Sequence, residues 1–288
     1  MKRQLVVEAP AKVNLTLDVL AKRPDGYHEL ATVMHQISLM DKLSLQLTDT
    51  AIIVHSSNPV VPEGEENLAY RAARLLFERF SLAGGVHIYI DKNIPVGAGL
   101  AGGSTDAAAV LMGLNILFEL GLPLEHLQSL GLELGSDVPF CILGGTALAK
   151  GRGEILAPLP GGPRLEMVLI KPDFQLSTAA IYQGLQLDKP MERPDNRAFI
   201  EAWQECDIIS MTSVMQNVLE SVSLAKCPEI AIIKSKLVDA GALTALMSGS
   251  GPSVVGIFSS LEQARRGWEK LKDQYQEAYL VSSYCRGD

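Results

Sequence analysis

Residues 95–106 of this 288-residue chain read Pro-Val-Gly-Ala-Gly-Leu-Ala-Gly-Gly-Ser-Thr-Asp. Gly97, Gly99, Gly102 and Gly103 remove the side chains that would hold a backbone away from a ligand, and glycine takes positive φ at no steric cost. Upstream, Val86, Ile88 and Ile90 alternate with polar residues as in a strand. Downstream, Ala107, Val110, Leu111, Leu114, Leu117 and Phe118 recur at helical spacing. A glycine-rich loop that feeds a helix start offers unpaired N–H groups and the positive end of the helix dipole to an anion, and nucleotide phosphates are the obvious ligand. Ser104, Thr105 and Asp106 are placed to supply the N-cap.

The run from Gly97 to Gly102 fits G-x-G-x-x-G, but a dinucleotide fold also needs a second strand after the helix and an acidic residue roughly 20 positions on. Neither is present, because a second helical stretch, Leu124–Leu134, follows directly. A Walker A loop is excluded by the absence of lysine in the run. A protein-kinase glycine loop has strands on both sides, whereas a helix follows here.

Two charged positions carry further chemistry. Lys12 stands just before an alternating strand (Val13, Leu15, Leu17, Val19 against Asn14, Thr16, Asp18), and Asp137 stands beside Pro139 at the mouth of an apolar run where a helix ends and a strand is expected. Type and position alone leave Asp137 open to reading as a turn cap, and Lys12 as a solvated lysine. The alternation in the strand predicts one buried face, with Asn14 on the opposite side.

The elements that must position these residues follow in order. The first 55 residues read as a meander of strands (13–19, 32–39, 43–47) with a tight turn at 23–28. Helices are predicted at 67–80, 124–134, 177–185, 199–203, 211–222, 229–240 and 261–275, with strands at 165–170, 254–258 and 278–284 and an exposed loop at 188–197. A second glycine-rich turn, Ser248-Gly-Ser-Gly251, precedes the 254–258 strand. Pro158, Pro160, Gly161, Gly162 and Pro163 form the densest breaker cluster, which predicts a boundary between a domain at 1–160 and one at 161–288. Strands and helices mix without strict alternation, the pattern of an α+β fold.

Composition sets the bounds. With 47% hydrophobic and 20% charged residues the chain is expected to be a soluble globular protein, and no apolar run reaches the roughly 18 residues of a membrane helix. The N-terminus lacks a signal-peptide core, which points to the cytoplasm. A net charge of −8 argues against nucleic acid as a partner. Cys141, Cys206, Cys227 and Cys285 are scattered, and the five histidines lack ligand spacing, so reduced thiols are expected and a zinc site is not.

Three separated motifs, Pro10-Ala-Lys12-Val-Asn14-Leu, residues 95–106 and Ser248-Gly-Ser-Gly251, in this order resemble the GHMP kinase superfamily over most of the chain. The segments at 11–15, 23–28 and 134–139 look like the group that phosphorylates the 2-hydroxyl of a cytidine diphosphate-linked methylerythritol on the non-mevalonate isoprenoid route. The resemblance implies a two-domain α+β fold with the active site in the cleft between domains, and ATP and Mg²⁺ as cofactors. The N-terminal domain would bind ATP and catalyse, and the C-terminal domain would bind a small-molecule substrate carrying cytidine diphosphate.

By the same resemblance, Asp137 is the base and Lys12 its partner. Pro95, Val96, Gly97, Ala98, Gly99, Leu100, Ala101, Gly102, Gly103, Ser104 and Thr105 hold the phosphates. Asn67, Leu68 and Lys92 gather at the adenine. Asn14, Tyr27, His28, Thr178, Tyr182, Gly249 and Ser250 meet the acceptor, with Tyr27, His28 and Tyr182 against the cytosine. Ser104 could touch Mg²⁺, but no carboxylate matches the magnesium ligand of mevalonate kinase, so the ion would be held mainly by ATP. Other GHMP kinases, acting on homoserine or mevalonate, and a catalytically silent ligand sensor are the competing readings; the complete loop with Lys12 and Asp137 speaks against the sensor.

Overall fold

The structure, a computed structural model, describes residues 3–189 and 191–284. It divides into two compact units, each drawn from several stretches of chain. One takes residues up to Ala11, Leu39–Val96 and Ala101–Gly144; the other takes Lys12–Ser38, Gly97–Leu100 and the chain from Gly145 onward. The strands β1 (Gln4–Lys22) and β2 (His28–Thr48) supply residues to both.

In the first unit, β3 (Ile52–Ser56), α1 (Leu68–Phe80), β4 (Gly85–Asp91), α2 (Gly102–Leu117), α3 (Leu124–Leu134) and α4 (Val138–Leu143) follow in chain order. β4 pairs antiparallel with residues 42–48 of β2 and parallel with β3. Period-2 alternation turns Leu43, Leu45, Val86, Ile88 and Ile90 to one face, where they pack with Ala69, Ala72, Ala73 and Leu76 of α1 and Val110, Leu111 and Leu114 of α2. The small alanines let α1 and the alanine-rich start of α2 lie close to each other and to the sheet. The apolar run after Asp137, expected as a strand, is the helix α4. A short apolar run has no period of its own, and Pro139 in the first turn suits a helix start.

The start of α2 also differs from expectation. Ala101 is its N-cap, in the left-handed region at φ 58°, and no side chain caps the helix. Ser104, Thr105 and Asp106 lie inside the first turns, where Thr105 Oγ1 donates to the Pro10 carbonyl at 2.8 Å. Asp106 belongs to a buried ion cluster: the Lys92 ammonium lies 2.7 Å from Asp106 Oδ2 and 2.6 Å from Asp41 Oδ2. Asp41 Oδ1 also accepts the backbone N–H of Asn93 and Ile94, at 2.6 and 2.8 Å. One carboxylate in the middle of β2 thus fixes the chain as it leaves β4 for the glycine loop.

Burial alone would lower the Lys92 pKa, but the two carboxylates overrule it and hold the ammonium above its ordinary value. Burial pushes Asp106 up, to about 7, with Lys92 pulling against it and Asp41 adding to it. Asp106 Oδ1 has no hydrogen-bond partner among the described residues.

The second unit continues with β5 (Thr146–Gly151), β6 (Ile155–Pro158), β7 (Glu166–Lys171), α5 (Thr178–Gly184), α6 (Asn196–Gln204), α7 (Ile208–Ser213), α8 (Glu220–Lys226), α9 (Glu229–Asp239), β8 (Thr244–Met247), β9 (Val254–Phe258), α10 (Leu261–Leu271) and β10 (Glu277–Ser282). β5 pairs with residues 30–35 of β2 and with β6, while a four-stranded sheet runs β10-β7-β9-β8, antiparallel throughout. The core of this unit joins Val168 and Ile170 of β7 and Val254 and Phe258 of β9 to Ile230, Ile233 and Leu237 of α9. The breaker cluster at 158–163 lies within this unit, between β6 and β7.

Residues 211–222, expected as one helix, are two helices with a break between them. The reason is a demand from β1: Leu17 N–H donates to the Gln216 carbonyl at 2.8 Å, and Val218 N–H donates to the Leu17 carbonyl at 3.0 Å. Cys141, Cys206 and Cys227 are in no disulfide, whereas Cys285 lies outside the described residues. No helix among the described residues is long and apolar enough to cross a membrane.

His35 is buried at the inner end of the β2–β5 pairing. Its Nδ1 lies 2.7 Å from Thr146 Oγ1 and its Nε2 2.9 Å from Ser283 Oγ, with the Trp203 ring edge-on at 5.7 Å. Burial pushes it down from 6.5 to about 4. The unfolded chain takes up a proton here below pH 6.5 and the folded one does not, so the stability that His35 contributes is complete above about pH 6.5 and is lost as pH falls toward 4.

Two outcomes are expected. Between pH 7 and pH 4 the denaturant-unfolding free energy should fall more steeply in the wild type than in His35→Gln, the difference approaching about 3 kcal/mol; equal slopes would refute it. Lys92→Met should cost about 3–5 kcal/mol in the same measurement at pH 7, because it leaves two buried carboxylates facing each other.

Candidate active site

Each unit carries its own share of the residues singled out by sequence. In the first, α2 begins without a side-chain cap, so its leading N–H groups point from a 16-residue helix with no partner from a capping side chain. That is what a phosphate cradle requires, and it replaces the expected Ser104–Asp106 cap. Glycine at 102 answers a specific crowding: a Cβ there would lie 3.0 Å from the Lys92 ammonium. A Cβ at Gly103 would meet Leu68 at 3.5 Å, so the start of α2 and Leu68 are neighbours.

Asn67 and Lys92, assigned to the adenine pocket, have their polar atoms engaged elsewhere. Asn67 caps α1, its Oδ1 accepting from Ala69 N at 2.8 Å and its Nδ2 donating to the Pro62 carbonyl at 2.6 Å. Lys92 is held by Asp41 and Asp106. Asp137 occupies the N-cap position of α4, half-buried, but its side chain makes no capping bond, contrary to the turn-cap alternative.

For Mg²⁺ the fit is limited but present. Among the described residues no group of three or more His, Cys, Asp or Glu is placed to hold a metal, while Ser104 stands half-buried in the first turn of α2. An ion that keeps several waters and takes most of its oxygens from nucleotide phosphates needs little more from the protein.

In the second unit the two glycine-rich segments meet. Ser248 Oγ donates to the Gly99 carbonyl at 3.1 Å and Ser253 N–H to the Ala98 carbonyl at 3.4 Å. A Cβ at Gly99 would fall on the Ser248 carbonyl, and at φ 75° the position favours glycine in any case. Asn14 joins them: a Cβ at Gly249 would lie 3.4 Å from Asn14 Oδ1 and 3.3 Å from the Gly99 carbonyl.

Lys12, on β1, donates to Asn14 Oδ1 at 2.9 Å. Both are buried, at 5% and 2% exposure, so neither the solvated lysine nor the exposed asparagine of the sequence alternatives is observed. Both faces of β1 are covered from Ala9 to Val19, with Thr16 and Asp18 buried too, where one buried face was expected. Thr178 Oγ1 and Ser250 Oγ lie 2.8 Å apart, which brings α5 to the Ser248–Gly251 turn.

Asn217 organises that turn and carries no sequence signal, since it stands in an apolar run that reads as helix. Its Nδ2 donates to the carbonyls of Met247 and Gly249, both at 2.8 Å, and its Oδ1 accepts from Leu219 N.

The aromatic group also assembles. The rings of His28 and Tyr182 lie 5.0 Å apart at 34°, and the Arg152 guanidinium stands 4.7 Å over the ring of the half-exposed Tyr27. Burial and the Lys22 charge hold His28 below its ordinary value, so the ring is neutral at pH 7 and offers one donor and one acceptor. Tyr182 also packs on the core of its unit, so its side chain serves packing as well as the ring pair.

Comparison with known proteins matches the GHMP kinases N terminal domain to residues 67–145 and the GHMP kinases C terminal domain to residues 202–277. A 4-diphosphocytidyl-2-C-methyl-D-erythritol kinase of Syntrophomonas wolfei is 55% identical over 99% of this chain and 100% of its own. A kinase of the same name from Alkaliphilus oremlandii is 46% identical over 99% of this chain and 98% of its own. A crystal structure of 4-(cytidine 5'-diphospho)-2C-methyl-D-erythritol kinase superimposes with a TM-score of 0.84 at 35% identity, over 98% of this chain and all of that one. The chain belongs to the GHMP kinases, in the family of its 4-diphosphocytidyl-2-C-methyl-D-erythritol kinase relatives.

Proposed function

We propose that this protein transfers the γ-phosphoryl group of ATP to the 2-hydroxyl of 4-diphosphocytidyl-2-C-methyl-D-erythritol, a cytoplasmic step toward isoprenoid precursors. Within the GHMP kinases, the observation that carries the choice of acceptor is the ring pair His28–Tyr182, with Tyr27 adjacent in the chain to His28. Stacked and tilted rings of this kind suit a flat base, and a neutral imidazole can hydrogen-bond its edge. Full-length likeness to kinases of this name supports the same assignment.

Phosphoryl transfer asks for positioning and charge stabilisation more than for covalent chemistry. The uncapped N–H groups of α2 and the glycine loop take the phosphates. Lys12 offers a fixed positive charge to the transferring group, and Asn14, Gly249, Ser250 and Thr178 line the acceptor. Asp137 accepts the proton of the attacking hydroxyl; the new O–P bond forms as the bond from γ-phosphorus to the bridging oxygen breaks, and ADP leaves. Ser104 would help hold a Mg²⁺ bound with ATP, which would supply charge neutralisation at the phosphate oxygens.

A coupled ADP-release assay tests the reading: turnover of the cytidine diphosphate substrate supports it, and turnover of mevalonate or homoserine instead refutes it. Asp137→Asn should lower kcat by roughly 10²- to 10⁴-fold with unchanged thermal stability, the range for losing a general base, and an unchanged kcat removes Asp137 from the mechanism. Tyr182→Ala should raise KM for the cytidine substrate about tenfold or more, as losing a base-stacking side chain does, with KM for ATP nearly constant. Equal weakening of both would assign Tyr182 to packing.

A further inference from the structure

The proposed chemistry uses Lys12 and Asn14, but neither residue fixes its own geometry. An asparagine side chain can face either way, and only in one orientation does its oxygen meet an ammonium. The hydrogen bonds behind Asn14 decide the matter. Thr32 Oγ1 has a single proton, and it lies 2.5 Å from the Thr16 carbonyl, which can only accept. The Thr32 oxygen is therefore left as an acceptor toward Asn14, so the group 2.8 Å away must be the Asn14 NH₂. With its NH₂ committed, Asn14 presents Oδ1 to Lys12 Nζ at 2.9 Å.

Thr32 is itself immobilised. It is fully buried, and its neighbour in β2 is tied to β1: Val33 N–H donates to Thr16 Oγ1 at 2.9 Å. Thr16 Oγ1 in turn donates to Asn196 Oδ1 at 2.5 Å, and Asn196 Nδ2 donates to the Ala31 carbonyl at 3.3 Å. The single hydroxyl protons of Thr32 and Thr16 are thus both committed.

We infer that Thr32 is a positioning residue of the active site: its hydroxyl sets the orientation of the Asn14 amide and thereby the place of the Lys12 ammonium. This rests on the role proposed above for Lys12 and Asn14. Thr32 does not touch the reacting atoms; it acts through Asn14. Its methyl group fills space and its hydroxyl carries the information, and the two can be separated.

Thr32→Val keeps the shape and removes the acceptor; Thr32→Ser keeps the acceptor and removes the methyl. The expected result is a kcat lowered about 10- to 100-fold in Thr32→Val, with KM for ATP within about twofold, and a kcat restored to near wild type in Thr32→Ser. The reverse ranking, valine active and serine impaired, would make Thr32 a packing residue and overturn the inference. Should the valine protein not fold, wild-type kcat in Thr32→Ser still supports the inference and its loss overturns it. Crystal structures of the two variants read the Lys12 Nζ to Asn14 Oδ1 contact without reference to activity; its survival in Thr32→Val also overturns the inference. A wild-type protein that fails to turn over the cytidine substrate refutes the proposed function instead, and the contact in the variants then decides the role of Thr32 alone.

Discussion

Burying the ammonium of Lys12 is the constraint around which the second unit is arranged. A charge taken from water must be met by acceptors that do not move, and β1 supplies one from its own next polar position, Asn14. That choice passes the requirement on: Asn14 needs Thr32, Thr32 needs the Thr16 carbonyl, and Thr16 needs Asn196. Asp18, the next polar residue of the strand, is met by Arg193 at 2.5 Å. β1 therefore recruits β2, the 193–196 segment and, through the Leu17 backbone, residues 216–218. Asn217, placed by that last contact, then holds the Met247 and Gly249 carbonyls of the glycine-rich turn.

The first unit solves a related problem with the charges exchanged. Asp41 is fully buried in the middle of β2 and is met by Lys92 and by two backbone N–H groups at the exit of β4. The glycines that follow consequently answer to two different demands. Gly102 is small because the Lys92 ammonium lies against it, and Gly99 is small because the Ser248 carbonyl does. A motif that reads as room for a ligand is in part room for the protein itself.

Long periodic elements were legible in the sequence. α1, α3 and α9 and the strands β4 and β9 stand within a residue or two of where spacing puts them, because their apolar stripes pack as the period implies. What was not legible depended on partners distant in sequence. The alternation in β1 correctly indicates a strand but says nothing of what covers its polar face, and the break at 216–218 comes from a backbone contact with Leu17 that no local pattern encodes. The apolar run at Val138–Leu143 lacked a period and was settled as helix by Pro139 and by packing of Val138 and Ile142 into the core. Among the site residues, Lys12 and Asn14 are hydrogen-bonded and His28 and Tyr182 form a ring pair within the second unit, while in the first Asn67 caps α1 and Lys92 joins the buried ion cluster.

Two aspartates of the first unit show why residue type alone does not assign a base. Asp106 directly follows the glycine loop and looks the better placed of the two, with a pKa raised toward the working range of a base. Yet it is 3% exposed, and its Oδ2 is held at 2.7 Å by an ammonium that also serves Asp41. Its Oδ1 is buried from solvent, and a hydroxyl that displaced Lys92 from Oδ2 would strand Asp41 without its counter-charge at a cost of several kcal/mol. Asp137 differs in being half-buried, at the head of a short helix that its carboxylate does not cap. Raised basicity at Asp106 is thus a by-product of holding the loop in place, and a raised pKa does not by itself identify a base.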